Sequence, residues 1–132
     1  MKNRKFEELV SKAIDLIPAE TLRKIGNVAF VVGSRPGKVM RKSLKLKSNG
    51  YLLGLYQGVP ITVYGRENVL KLPDKITIFQ KEIEDYVSIS GKEIKDVVNN
   101  TVWHEVAHCV GLDHDAIYAL EAAKGIKDKK SA

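Results

Sequence analysis

The chain has one cysteine, two methionines and three histidines among its 132 residues, and no long apolar run. The lone Cys109 closes no internal disulfide, so an oxidising compartment would give this fold no advantage. Apolar stretches such as Val28–Val32 fall far short of the roughly 20 residues that cross a bilayer. Lys2, Arg4 and Lys5 open the chain as a targeting leader would. Glu7, Glu8, Lys12 and Asp15 interrupt the apolar residues that follow, which a signal-peptide core does not tolerate. These absences predict a cytoplasmic protein with no membrane partner.

What is present fits one domain. At 132 residues the chain can bury one modest core but not two. We expect a single domain over residues 1–125 and a basic, disordered tail over 126–132. The formal charge is +6, with lysines crowded between Arg35 and Lys47 and again from Lys124 to Lys130. Such runs are read as a solvated loop and a frayed terminus, with nucleic-acid contact as the alternative.

Phe6, Leu9, Val10, Ala13, Ile14 and Ile17 recur at helical spacing and predict an amphipathic first helix. Pro18 stops it and starts a short second turn towards Ile25. Val28–Val32 reads as a buried strand, and Ser34–Gly50 as a loop or loose hairpin. Tyr51–Tyr56 and Ile61–Tyr64 are expected strands around a Gln57-Gly58-Val59-Pro60 turn, and Lys75–Gln80 is a third. Ser90-x-x-Glu93 has the form of a capping box, opening a long helix that runs to Gly111. Asp113 or Asp115 then caps a last helix, Ala116–Lys124. Helices, strands and helices again in that order make the class α+β.

The chemistry sits in the long helix. His104-Glu105-Val106-Ala107-His108 is H-E-x-x-H, which puts the two histidines about 40° apart around the axis and one turn apart along it. Both imidazoles can then reach one ion at roughly 2.0–2.1 Å. Glu105 is turned about 60° from His108, which suits a carboxylate that takes a proton from the metal's water rather than one that binds the metal. A tetrahedral zinc ion needs a third protein ligand and an open fourth position. Were the helix to continue, His114 would lie about 240° round from His108, on the wrong face. A left-handed Gly111 would end the helix and turn the chain back, bringing His114 to the ion. Asp113, Asp115 and Glu121 are the alternatives for the third ligand. Those that do not bind could orient a histidine through its second ring nitrogen. Cys109 lies about 100° from His108 and reads as a small buried apolar residue. Trp103 reads as core, and Thr101 as an ordinary helix threonine one turn before the ligands.

With that motif, Leu53–Pro60 (LGLYQGVP) and Leu72–Phe79 (LPDKITIF), the chain resembles the small bacterial zincin-like metallopeptidases, from about Ile17 to the last helix. The resemblance implies a minimal zincin-like fold. A small sheet would pack on the H-E-x-x-H active-site helix, with N- and C-terminal helices around it. It also implies that His104 and His108 bind metal and that Glu105 is the general base. Family members often carry Asp where this chain has His114; either residue binds zinc. The extended string also matches the metzincin consensus, but Met1 and Met40 both precede it, which excludes a metzincin-type Met-turn. In zincins an edge strand above the metal pairs with extended substrate, and by resemblance Gly54, Leu55 and Tyr56 would form that rim.

The expected function is therefore zinc-dependent hydrolysis of a peptide or protein substrate by Glu105-activated water. Two other classes stay open. Gly111-Leu112-Asp113-His114 also resembles the zinc motif of bacterial rRNA-maturation endoribonucleases, and the basic charge suits RNA. That family has glycine where this chain has Glu105, which argues for peptide chemistry. The other class is a metal-binding protein without turnover, which an intact Glu105 disfavours.

Overall fold

Phe6, Val10 and Ala13 form one buried stripe along α1 (Asn3–Asp15), as their helical spacing predicts. A computed structural model describes residues 1–45, 50–58 and 74–111. Pro18 serves as the N-cap of α2 (Ala19–Ile25), where a residue lacking an N–H costs nothing. The chain then enters β1 (Val28–Gly33), α3 (Lys38–Ser43), β2 (Gly54–Gln57) and β3 (Asp74–Phe79). Two helices follow, α4 (Gln80–Ser90) and α5 (Ile94–Cys109).

The three strands form one sheet in the order β1-β3-β2. β1 runs parallel to β3, with Val28 opposite Asp74 and Val32 opposite Ile78. β2 runs antiparallel to β3, with Gly54 opposite Ile78 and Tyr56 opposite Ile76. Ile76 and Ile78 of the central strand are fully buried and join Phe6, Val10, Ile83, Val97, Val98, Val102 and Val106 in one core. α5 lies in the middle of it: eleven of its sixteen residues are buried, including the polar Asn100, Thr101, His104 and Glu105. A helix buried on so much of its circumference is a core element, so its polar residues need a reason to be there.

Four expectations are corrected. Val28–Val32 is a strand but, among the described residues, an edge one, with Val31 40% exposed and β3 on only one of its sides. The Ser34–Gly50 region holds the short helix α3. Gln80, read as the end of a strand, instead opens a full helix, Gln80–Ser90, entered directly from β3 with Phe79 as its N-cap. Ser90 therefore does not open α5; it ends α4, ahead of the left-handed Gly91. Its hydroxyl oxygen accepts from the Lys92 N–H, and the N-cap of α5 is Glu93 without a side-chain cap. The expected strand Ile61–Tyr64, the helix Ala116–Lys124 and the tail 126–132 lie outside the described residues. Among the described residues, no helix is long and apolar enough to cross a membrane.

Candidate active site

α5 carries His104, Glu105 and His108 on consecutive turns. The two imidazoles meet edge to face, with ring centres 4.8 Å apart and planes at 71°. Two imidazoles bound to one tetrahedral ion at roughly 2.0–2.1 Å would hold their ring centres about 5 Å apart, so the pair fits a shared metal. His104 is fully buried, whereas His108 is partly exposed, so the pair is reached from the His108 side.

The helix ends as the motif requires. Val110 caps it, and Gly111 follows with φ +87°, donating its N–H to the His108 carbonyl at 2.9 Å. This is the left-handed residue expected just past a helix end, three positions after His108. His114, Asp113, Asp115 and Glu121, the candidates for a third ligand, lie outside the described residues. Among the described residues no three metal-binding side chains converge.

Glu105 is 2% exposed. Its carboxylate accepts a hydrogen bond from the Tyr56 backbone N–H, and its Oε2 has no hydrogen-bond partner among the described residues. Burial pushes the carboxyl up to about 8, and the Tyr56 N–H opposes this. A cation on the two imidazoles would also act the other way and favour the ionised form. The same helix thus carries a buried carboxylate with an open oxygen and the two imidazoles.

β2 comes close to this carboxylate because Gly54 has no side chain. A Cβ there would lie 2.8 Å from the Thr101 methyl and 3.0 Å from Glu105 Cγ. Thr101 is held in place by its hydroxyl, which donates to the Val97 carbonyl at 2.7 Å. Among the described residues β2 pairs only with β3, and the Tyr56 N–H points away from β3 towards Glu105. Gly54 and Tyr56 thus border Glu105, while Leu55 is half-buried opposite Thr77.

The sequence model of zincin-like metallopeptidases matches residues 25–123, well over half of the chain. The chain belongs to the zincin-like metallopeptidase family. Its sheet, its helix α5 and the glycine turn make up a minimal zincin-like α+β fold. A solved structure of a conserved hypothetical protein from Thermo thermophilus is similar, with a TM-score of 0.54 and 20% identity. The match covers 96% of this chain and 100% of that one. At that identity the likeness concerns the fold alone. No curated protein matches the chain.

The contacts of the Tyr56 hydroxyl escape a reading of the sequence. Asp74, 1% exposed, accepts a hydrogen bond from the Tyr56 hydroxyl at 2.8 Å. Cys109 is fully buried, as expected of a small apolar residue, and also interacts with that hydroxyl. An Asp after Pro73 reads as a turn residue, and nothing local shows that it faces inward.

Proposed function

We propose that this zincin-like protein is a zinc-dependent peptidase in which His104, His108 and His114 hold the metal and Glu105 is the general base. The observation that carries the reading is Glu105 itself, a buried carboxylate with an open oxygen on the helix whose two imidazoles lie with ring centres 4.8 Å apart. Neutral imidazoles suit zinc, and three of them leave a fourth position open. Zinc, when bound, supplies Lewis acidity and lowers the pKa of water towards 7.

This chain's residues supply the rest. Glu105 accepts the water's proton and later returns it to the leaving amine, the double role of a positioned carboxylate. The Tyr56 N–H keeps that carboxylate from rotating away. Gly54, Leu55 and Tyr56 form the rim beside which an extended peptide would lie, with the Tyr56 N–H already held by Glu105 and so not part of any strand pairing. The same rim meets Glu105, so a peptide aligned on it lies beside the base.

The test is a peptide-library cleavage assay with the intact chain, run beside Glu105→Gln and a structured RNA. Wild type should cleave peptides, lose the activity to a chelator and regain it with zinc. Glu105→Gln should keep its metal and lose about 10²–10⁴-fold in rate, because an amide cannot accept the proton. Metal-dependent RNA cleavage that survives Glu105→Gln would contradict the reading. Full zinc occupancy with no hydrolysis of either polymer would do so too.

A further inference from the structure

Tyr56 touches the candidate site twice. Its backbone N–H meets Glu105, and its hydroxyl meets Asp74 and Cys109. The hydroxyl donates to Asp74 Oδ2 at 2.8 Å and interacts with the thiol of Cys109, the residue after His108. Three elements meet at this oxygen: the start of β3, the edge strand β2 and the last turn of α5.

The arrangement is built rather than incidental. Asp74 and Cys109 are both withdrawn from solvent. Gly58 approaches Asp74 so closely that any Cβ there would collide with the carboxylate. Burial and the neighbouring Asp74 carboxylate both push the phenol's pKa up, which keeps it protonated and donating.

We propose that Tyr56 is a positioning residue for the metal site: its hydroxyl ties Cys109 to Asp74 and so fixes the last turn of α5, which carries His108. The role rests on the metallopeptidase reading above. Its physical basis is that helix ends fray, because their last carbonyls lack partners within the helix. His108 sits in that last turn, whereas His104 lies one turn deeper and is wholly packed. A side-chain tie at position 109 therefore restrains the one imidazole whose direction is otherwise least fixed. Groups that orient a ligand in this way are worth on the order of 10–100-fold in metal affinity.

The test uses the full chain loaded with cobalt(II), whose visible bands report ligand geometry, together with zinc affinity by chelator competition and thermal melting. Tyr56→Phe removes only the hydroxyl. It should shift the cobalt bands and weaken zinc on the order of 10–100-fold while still melting cooperatively. Cys109→Ala should behave in the same way, and Cys109→Ser, which keeps a hydrogen-bonding group, should restore the wild-type spectrum. If Tyr56→Phe fails to fold, the Cys109 pair decides by the same criterion. Unchanged bands and zinc affinity in Tyr56→Phe or Cys109→Ala, even with a lower melting temperature, would reduce the hydroxyl to a fold contact and overturn the proposal. A thiolate-to-cobalt charge-transfer band in wild type would overturn it differently, by making Cys109 a ligand. A wild type that binds no cobalt or zinc would instead overturn the metal site, and the positioning role with it.

Discussion

One methyl group at Gly54 is enough to test how closely strand and helix are fitted. Gly54→Ala places a carbon 2.8 Å from the Thr101 methyl and 3.0 Å from Glu105 Cγ, and both belong to a packed helix. The variant should lose about 1–3 kcal/mol of stability, as overpacked sites do. It should also displace Glu105. Thr101→Ser removes the obstructing methyl and keeps the bond to Val97, so the double variant should recover part of the loss in denaturant melts. Additive losses would mean that strand and helix yield elsewhere. The third ligand is a separate question at the same scale. His114→Ala should abolish tight zinc binding, while Asp113→Ala and Asp115→Ala should weaken it by about 10–100-fold at most. Zinc titration decides between them, and an aspartate variant without metal beside a loaded His114→Ala would reverse the assignment. The sequence makes His104, Glu105 and His108 readable because a helix turns their spacing directly into a shared face. The Tyr56–Asp74 bond cannot be read that way. Its partners are 18 residues apart, and only the register of β2 on β3 brings them together.

Among the elements, α5 shows both what periodicity reveals and what it hides. Its apolar valines and its terminal glycine are legible, and Gly111 does take the left-handed conformation that ends the helix. Its start is masked because Ser90 and Glu93 imitate a capping box, although α4 already ends at Ser90 and α5 begins at Ile94. α4 itself is hidden by its abrupt entry: β3 passes into it at Phe79–Gln80 with no glycine or proline to mark the change. Burial then settles what α4 is for. Its Glu82 accepts from the Leu52 N–H at 3.2 Å, from Arg41 at 3.1 Å and from Arg35 at 2.9 Å. Arg41 also donates to the Gly50 carbonyl. This clasp ties α3, α4 and the approach to β2 together, so it positions the strand that borders Glu105. Glu82→Ala should cost about 1–3 kcal/mol, since it leaves a buried backbone N–H without its acceptor. Arg35→Ala should change little, because that side chain is half-exposed and its ion pairs are screened. Urea melts of the two variants make the comparison, and equal losses would contradict it.

Across the whole molecule, the candidate metal helix is also the centre of the core. A chain that buries His104 and Glu105 in that position should gain stability when an ion compensates them. With zinc at about a thousand times its dissociation constant, mass action alone adds roughly 4 kcal/mol, so a chelator should lower the melting temperature by on the order of 10–20 °C. The fold class, α+β with a small sheet against the motif helix, is accessible from element order and from the family-like strings around Gly54 and Asp74. The strand order β1-β3-β2 is not, because a parallel pairing between strands some forty residues apart leaves no local trace. The central claim, a zinc site built on α5, is tested most directly by metal analysis of the purified chain and of its histidine variants. Wild type should hold about one zinc per chain, and both His104→Ala and His108→Ala should lose tight binding while Glu105→Gln stays loaded. Stoichiometric zinc retained in both histidine variants would contradict it.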